Sequence, residues 1–218
     1  LFFTATIDKK IKSLAYDVVR SAIRIQLSPQ NPVSKNVQHA VAFIEMDDKR
    51  FFLERLIKEQ SEERILVFVR TKVRAERVQA AMARVGIEAG IIHGGRDQAE
   101  RMEVLDKFRN STAAILIATD VSARGIDIPG VRYVVNYDLP DAAETYVHRI
   151  GRTGRAGLTG VAISFCSNDQ QDVFRQIKKI VGKDAIKSMS VEEAFKRVPD
   201  FQGGEHPYPS QKKERQER

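Results

Sequence analysis

Tryptophan is missing from the 218-residue chain, and cysteine occurs once, at Cys166. A single thiol excludes an internal disulfide framework and a cysteine-cluster metal site, and it points to a reducing cytoplasm. The histidines at His39, His93, His148 and His206 lack metal-ligand spacing as well, so no metal site is expected in this stretch of chain. No apolar run approaches the roughly 20 residues that cross a bilayer, so no membrane association is expected. Leu1-Phe2-Phe3 gives way to Asp8, Lys9 and Lys10, too soon for the apolar region of a signal peptide. The first residue is Leu1 rather than Met, which sets the expectation of a fragment. Also lacking is Gly-x-x-x-x-Gly-Lys-Ser/Thr, the loop that cradles nucleotide phosphates; Gly182-Lys183-Asp184 does not supply it. The glycines at 151, 154 and 157 do not follow a strand, as a dinucleotide fingerprint requires.

What is present is an ordinary core composition, 42% hydrophobic, with a formal charge of +7 and a pI near 9.5. A basic balance is compatible with a polyanionic partner, although both signs are spread along the chain. From Val37 onward short apolar segments alternate with amphipathic ones. The pattern predicts strands over 37–44, 65–69, 89–93, 114–118, 133–136 and 161–165. It predicts helices over 48–60, 72–85, 98–108, 142–150 and 170–181, the first with Phe51, Phe52, Leu56 and Ile57 on one side. This is an α/β chain with a parallel sheet flanked by helices on both faces, wound by right-handed crossovers.

The first residues read differently. A strand over 1–5, a helix over 8–19 and a strand over 23–27 run into Ser28-Pro-Gln-Asn-Pro-Val-Ser34, whose composition marks a domain boundary. Residues 1–27 are therefore expected to end a preceding domain, with 28–34 the linker and 35–185 the main domain. Residues 186–218 form an extension, which after about 203 carries too little apolar content to pack and is expected to be disordered.

Ligands of doubly wound sheets bind beyond the carboxyl ends of the strands. Arg70 and Thr71 follow the strand at 65–69, and His93, Gly94, Gly95 and Arg96 follow Ala89–Ile92. Thr119 and Asp120 follow 114–118, with Ser122, Arg124, Gly125 and Asp127 further along. If the strands are parallel these loops share one edge and offer hydroxyls, glycine amides and guanidinium groups to phosphate oxygens. Taken singly, each loop would be an ordinary turn or a helix cap. The densest string is His148-Arg-Ile-Gly-Arg-Thr-Gly-Arg155. At roughly 100° per residue, His148, Arg152 and Arg155 fall within about 60° of one another on a helix, a cluster suited to an anion. A lone Arg-x-x-Arg would be a solvated basic patch; two arginines aimed at one point suit a transferred phosphoryl group.

These residues resemble a family. Ala118-Thr-Asp-Val-Ser-Ala-Arg-Gly-Ile-Asp127 is similar to motif V of DEAD-box RNA helicases, and His148 to Arg155 to motif VI. Val67-Phe-Val-Arg-Thr71 resembles motif IV, Gln98 and Arg101 resemble a Gln-x-x-Arg element, and Thr4-Ala5-Thr6 resembles motif III. Thr4 stands where serine is usual and keeps the hydroxyl, and Arg70 stands at a variable polar position. The resemblance implies the C-terminal RecA-like half of an ATP-dependent RNA helicase that unwinds short duplexes. It implies arginine fingers at Arg152 and Arg155, and nucleotide contacts at Gly125 and Asp127. RNA-backbone contacts fall to Arg70, Thr71, Gly94, Gln98, Arg101, Thr119 and Asp120. Coupling to the other lobe falls to Thr4, Thr6, His148 and Arg149. Asp-Glu-Ala-Asp is absent, so ATP with Mg2+ would be held mainly by an N-terminal RecA-like domain, and this chain would be inactive alone. Two other readings stand beside it: a non-catalytic RNA-binding module, which needs none of Asp127, Arg152 and Arg155, and a DNA helicase of the same superfamily.

Overall fold

The computed structural model describes residues 9–18, 36–111, 114–123, 128, 130–155, 158–182 and 185–189. In chain order these form α1 (Lys9–Val18), β1 (Val37–Phe43), α2 (Lys49–Glu59), β2 (Arg64–Phe68), α3 (Lys72–Arg84), β3 (Gly90–Ile92) and α4 (Gln98–Asn110). Then come β4 (Ala114–Ala118), α5 (Asp120–Ala123), β5 (Tyr133–Asn136), α6 (Ala143–Ile150), β6 (Gly160–Cys166), α7 (Gln171–Val181) and β7 (Ile186–Met189). The expected strands at 1–5 and 23–27, the linker at 28–34 and the tail after 203 lie outside the described residues.

The strands form one sheet in the order β3-β4-β2-β5-β6-β1-β7, and every pairing is parallel. β2 shows why the sheet is covered on both sides. Ile65 and Val67 pack on one face with Leu53 and Ile57 of α2 and with Ala75, Val78 and Met82 of α3. Leu66 and Phe68 pack on the other with Leu105 and Phe108 of α4. The four side chains from Ile65 to Phe68 are each 1% exposed or less, so this run has no polar alternation to show. α6 and α7 cover the rest of the second face through Tyr146, Ile150, Phe174, Ile177 and Val181. Removing the side chain of Leu66 would cost about 2–5 kcal/mol, the usual range for a buried leucine cut to alanine.

Three details differ from expectation. The buried side of α2 is Lys49, Leu53 and Ile57, while Phe51 is exposed, because Leu53 and Ile57 stand one turn apart and meet β2 directly. Residues 120–123, read as loop, make the short helix α5. β7 carries the sheet beyond the expected boundary at 185: Ile186 pairs with His39 and Met189 with Ala42, so β1 is not an edge strand.

Candidate functional site

β3, β4 and β2 are neighbours, and all are parallel, so the loops after them leave the same edge side by side. The loop after β5 is the next along. Arg70, Thr71, Gly94 and Gln98 are exposed on this edge, and Arg101 is half-buried behind them. Thr71 caps α3 by accepting the Arg74 amide at 3.1 Å, which leaves its hydroxyl hydrogen to donate outward at the positive end of the helix. A Cβ built on Gly94 meets nothing within 4 Å. The fold itself therefore does not require glycine there, whereas close approach of a ligand to the backbone would.

Arg101 donates from Nη1 to Gln98 Oε1 at 3.1 Å and from Nη2 to the Ser122 carbonyl at 3.2 Å. Its Nε is buried and has no hydrogen-bond partner among the described residues. Ser122 itself donates to the Ile92 carbonyl at 2.8 Å and meets Thr119 Oγ1 at 3.0 Å, so one hydroxyl ties the end of β3 to the start of α5. Thr119 is consequently buried at 7% exposure, not displayed on the rim. At the neighbouring turn, His93 Nδ1 accepts the Gly95 amide at 3.1 Å, and its Nε2 lies 3.4 Å from Glu76.

Two expected site residues serve the interior. Arg149 is 2% exposed, and its guanidinium donates to both carboxylate oxygens of Asp120, at 2.6 and 2.8 Å. It also donates to Asn136 Oδ1 at 3.1 Å and to the Asp138 carbonyl at 2.6 Å, above the Phe68 ring at 5.0 Å. A planar five-donor fork meets this set of acceptors where lysine could not. Arg149 is thus buried and not on the surface, and both Asp120 carboxylate oxygens meet it while the Asp120 side chain keeps 28% exposure. Four of the five guanidinium N–H groups are thus taken within the domain, so Arg149 and Asp120 serve first to hold one another.

α6 ends at Ile150, so Arg152 and Arg155 do not share a helical face with His148 as the helical projection had it. The turn that follows is pinned by its small residues. Thr153 is buried and its hydroxyl lies 2.6 Å from the Val131 carbonyl and 3.0 Å from that of Arg132. Gly154 has φ +66°, and a Cβ there would lie 2.6 Å from Val37 Cγ2. With Thr153 and Gly154 clamped against the starts of β5 and β1, Arg152 and Arg155 flank an immobilised turn. Arg155 is exposed and donates from Nε to the Gly151 carbonyl at 2.6 Å. Arg152 is half-buried and lines a shallow depression with Thr145, His148, Arg149, Asp120, Ala123 and Phe68. Ala123 leads directly into 124–127, so the depression joins motif VI to the start of motif V. Thr4, Thr6, Gly125 and Asp127 lie outside the described residues.

Sequence reasoning missed Lys49 and Asp138. Lys49 was not singled out; its side chain is wholly buried, 3.8 Å from Asp138. Asp138, in Asp138-Leu139-Pro140, carries no local signal of burial, yet it is 3% exposed. Burial pushes the Cys166 thiol up to about 11, as suits a core residue and not a nucleophile.

The helicase conserved C-terminal domain family matches residues 48–157. The ATP-dependent RNA helicase RhlB of Shewanella amazonensis is 40% identical over 169 residues, covering 78% of this chain and 38% of that protein. The chain therefore spans well under half the length of this relative. S. cerevisiae Dbp5 bound to RNA and ADP BeF3 superposes with a TM-score of 0.82 at 33% identity, over 89% of this chain and 52% of that one. Domain 2 of the Mss116p DEAD-box helicase, bound to an RNA duplex, superposes with a TM-score of 0.62 at 26% identity, over 70% of this chain and 63% of that one. With its seven parallel strands, its Arg152 turn and these relatives, the chain belongs to the helicase C-terminal domain family, as the C-terminal RecA-like domain of the DEAD-box type.

Proposed function

We propose that this domain works within an ATP-dependent RNA helicase, holding the RNA backbone along the β3-β4-β2 edge and presenting Arg152 and Arg155 to the phosphates of ATP. The observation that carries the reading is the pairing of two neighbouring surfaces: a rim of Arg70, Thr71, Gly94 and Arg101, and a depression lined by His148 and Arg152. RNA phosphates would be met by the Arg101 guanidinium, the Thr71 hydroxyl and the amides around Gly94. Such contacts carry no base information, so binding is indifferent to sequence.

ATP with Mg2+, cradled by an N-terminal RecA-like lobe, would supply the phosphoryl group whose hydrolysis resets the cycle. The residues of this chain fit the distal side of that group. Arg152 is half-buried on a turn clamped by Thr153, so it arrives at an anion already oriented. Arg155, on the same turn, adds a second positive charge. Together they would offset the charge that gathers on the transferred group, an effect of about 10³–10⁵ in rate where arginine fingers have been tested. His148, at the rim of the depression, would meet the other lobe near Thr4 and Thr6. Because RNA and nucleotide favour the same closed pair of lobes, each strengthens binding of the other. Closure on a bent strand would separate a short duplex.

Dbp5 with RNA and a nucleotide analogue, and the Mss116p domain with an RNA duplex, support this reading over that of a DNA-directed enzyme. The test is to add an N-terminal lobe in trans and measure ATP turnover with and without RNA. Turnover that rises with RNA supports the catalytic reading. RNA binding with no turnover at any lobe concentration would leave only the non-catalytic module.

A further inference from the structure

Two ions are buried beneath the RNA-facing edge, and the proposed chemistry uses neither. Lys49 opens α2 with no exposed surface, and Asp138, after β5, is 3% exposed. Lys49 Nζ lies 3.8 Å from Asp138 Oδ1 and donates to Gln170 Oε1 at 3.2 Å. Burial lowers the Lys49 pKa, and the charge of Asp138 opposes that shift. A buried ion pair adds little net stability over an apolar pair of the same volume. Stability alone therefore does not account for it.

The other carboxylate oxygen offers an account. Asp138 Oδ2 accepts the backbone N–H of Arg70 at 3.1 Å and lies 3.7 Å from Arg74 Nε. Arg70 is where the chain leaves the sheet, since Val69 still donates to the Ala118 carbonyl of the neighbouring strand. Its amide has no ladder partner, and a charged acceptor holds it about twice as strongly as a neutral one would. Asp138 is itself fixed, because its own N–H donates to the Phe68 carbonyl at 3.3 Å. The Arg70 side chain is gathered on the same segment, donating to the Leu139 carbonyl at 3.3 Å and lying 3.4 Å from Asp141. So the segment after β5 sets both the backbone and the side chain of the loop after β2.

We propose that Asp138 is a positioning residue, whose buried carboxylate holds the Arg70 amide and so aims the Arg70–Thr71 loop at RNA, with Lys49 beneath it to keep that carboxylate in place. Asp138 touches no RNA and acts only through Arg70. The proposal rests on the reading of this loop as RNA-facing.

Removing Asp138 alone would strand Lys49 as an unpaired buried cation, so each variant is paired with Lys49→Met. Asp138→Asn/Lys49→Met keeps an oxygen for the Arg70 amide, and Asp138→Leu/Lys49→Met does not. Both are compared with the parent chain by anisotropy of a fluorescein-labelled RNA duplex and by thermal melting. The asparagine pair should bind about threefold more weakly than the parent, and the leucine pair on the order of tenfold more weakly, the effect of losing one charged hydrogen bond. Equal RNA affinity of the two pairs overturns the proposal. Arg70→Ala separates the possible failures. If it leaves affinity unchanged, the loop is not RNA-facing; if it weakens binding while the two pairs agree, only the Asp138 role falls. Amide exchange at Arg70 in the parent gives a reading that needs no variant. Protection like that of Val69 is expected, and exchange at the rate of an open loop would overturn the proposal.

Discussion

Replacing Asp120 with alanine removes both acceptors from one side of the buried Arg149 guanidinium, held at 2.6 and 2.8 Å. Asn136 Oδ1 and the Asp138 carbonyl remain, but neither carries a charge. Breaking a buried pair from one side costs about 3–5 kcal/mol, because the surviving ion is left uncompensated. The Asp120 side chain is 28% exposed, against 1% for Arg149, so water replaces part of what is lost. The lower end, about 3 kcal/mol, is therefore expected. For a domain of this size that lowers Tm by about 6–12 °C, at roughly 2–4 °C per kcal/mol. Urea denaturation should show the midpoint falling at a constant m-value. Asp120→Asn, which keeps an acceptor and loses the charge, should lose about half as much. Adding Arg149→Met to Asp120→Ala should cost less than the two single changes summed, since the second removes the stranded charge. A loss below about 1 kcal/mol for Asp120→Ala, the value of an exposed ion pair, would show that Arg149 is hydrated and that this brace does not exist in solution.

Burial lowers the His39 pKa from 6.5 to about 4, with its Nδ1 at 2.9 Å from the Tyr146 hydroxyl. The unfolded chain then binds the extra proton first, so stability is full above pH 6.5 and falls as the pH drops toward 4, by about 3 kcal/mol in all. His39→Gln should flatten that slope in urea melts taken across the same range, and an unchanged slope would assign it elsewhere. Arg101→Ala should weaken RNA binding about equally across sequences and reduce the salt slope by roughly 0.7, the single-strand value per phosphate. A loss confined to some sequences would contradict a backbone contact. Gly94→Ala should leave the melting temperature unchanged, since its Cβ meets nothing within 4 Å, and should weaken RNA binding; a change in Tm with intact binding would reverse that reasoning.

Much of the fold was legible because both faces of the sheet are covered. Ile65-Leu-Val-Phe-Val69 has no polar alternation, and such strands alternating with amphipathic helices suit a parallel sheet buried on two sides. The shared edge of the Arg70, Gly94 and Thr119 loops followed from the same inference, since parallel neighbours must send their loops the same way. What escaped notice depends on contacts between residues far apart in sequence. Arg149 and Asp120 both looked like site residues, and only packing shows that they satisfy one another. The end of α6 at Ile150 was legible, but the placement of Arg152 and Arg155 by helical projection was not: they lie beyond the helix, on a turn where the Thr153 hydroxyl finds the Val131 carbonyl. β7 was missed because Ile186-Lys-Ser-Met189 is short and half polar, and only the open side of β1 makes it a strand.

The central claim is that the clamped turn after α6 delivers positive charge to a nucleotide held elsewhere. Its most direct measurement is the RNA-stimulated ATP turnover of Arg152→Ala, assembled with an N-terminal lobe, beside RNA affinity measured without nucleotide. Turnover should fall by about 10³ or more while RNA affinity stays within twofold of the parent. An unchanged turnover number, or a matching collapse of RNA affinity, would contradict it.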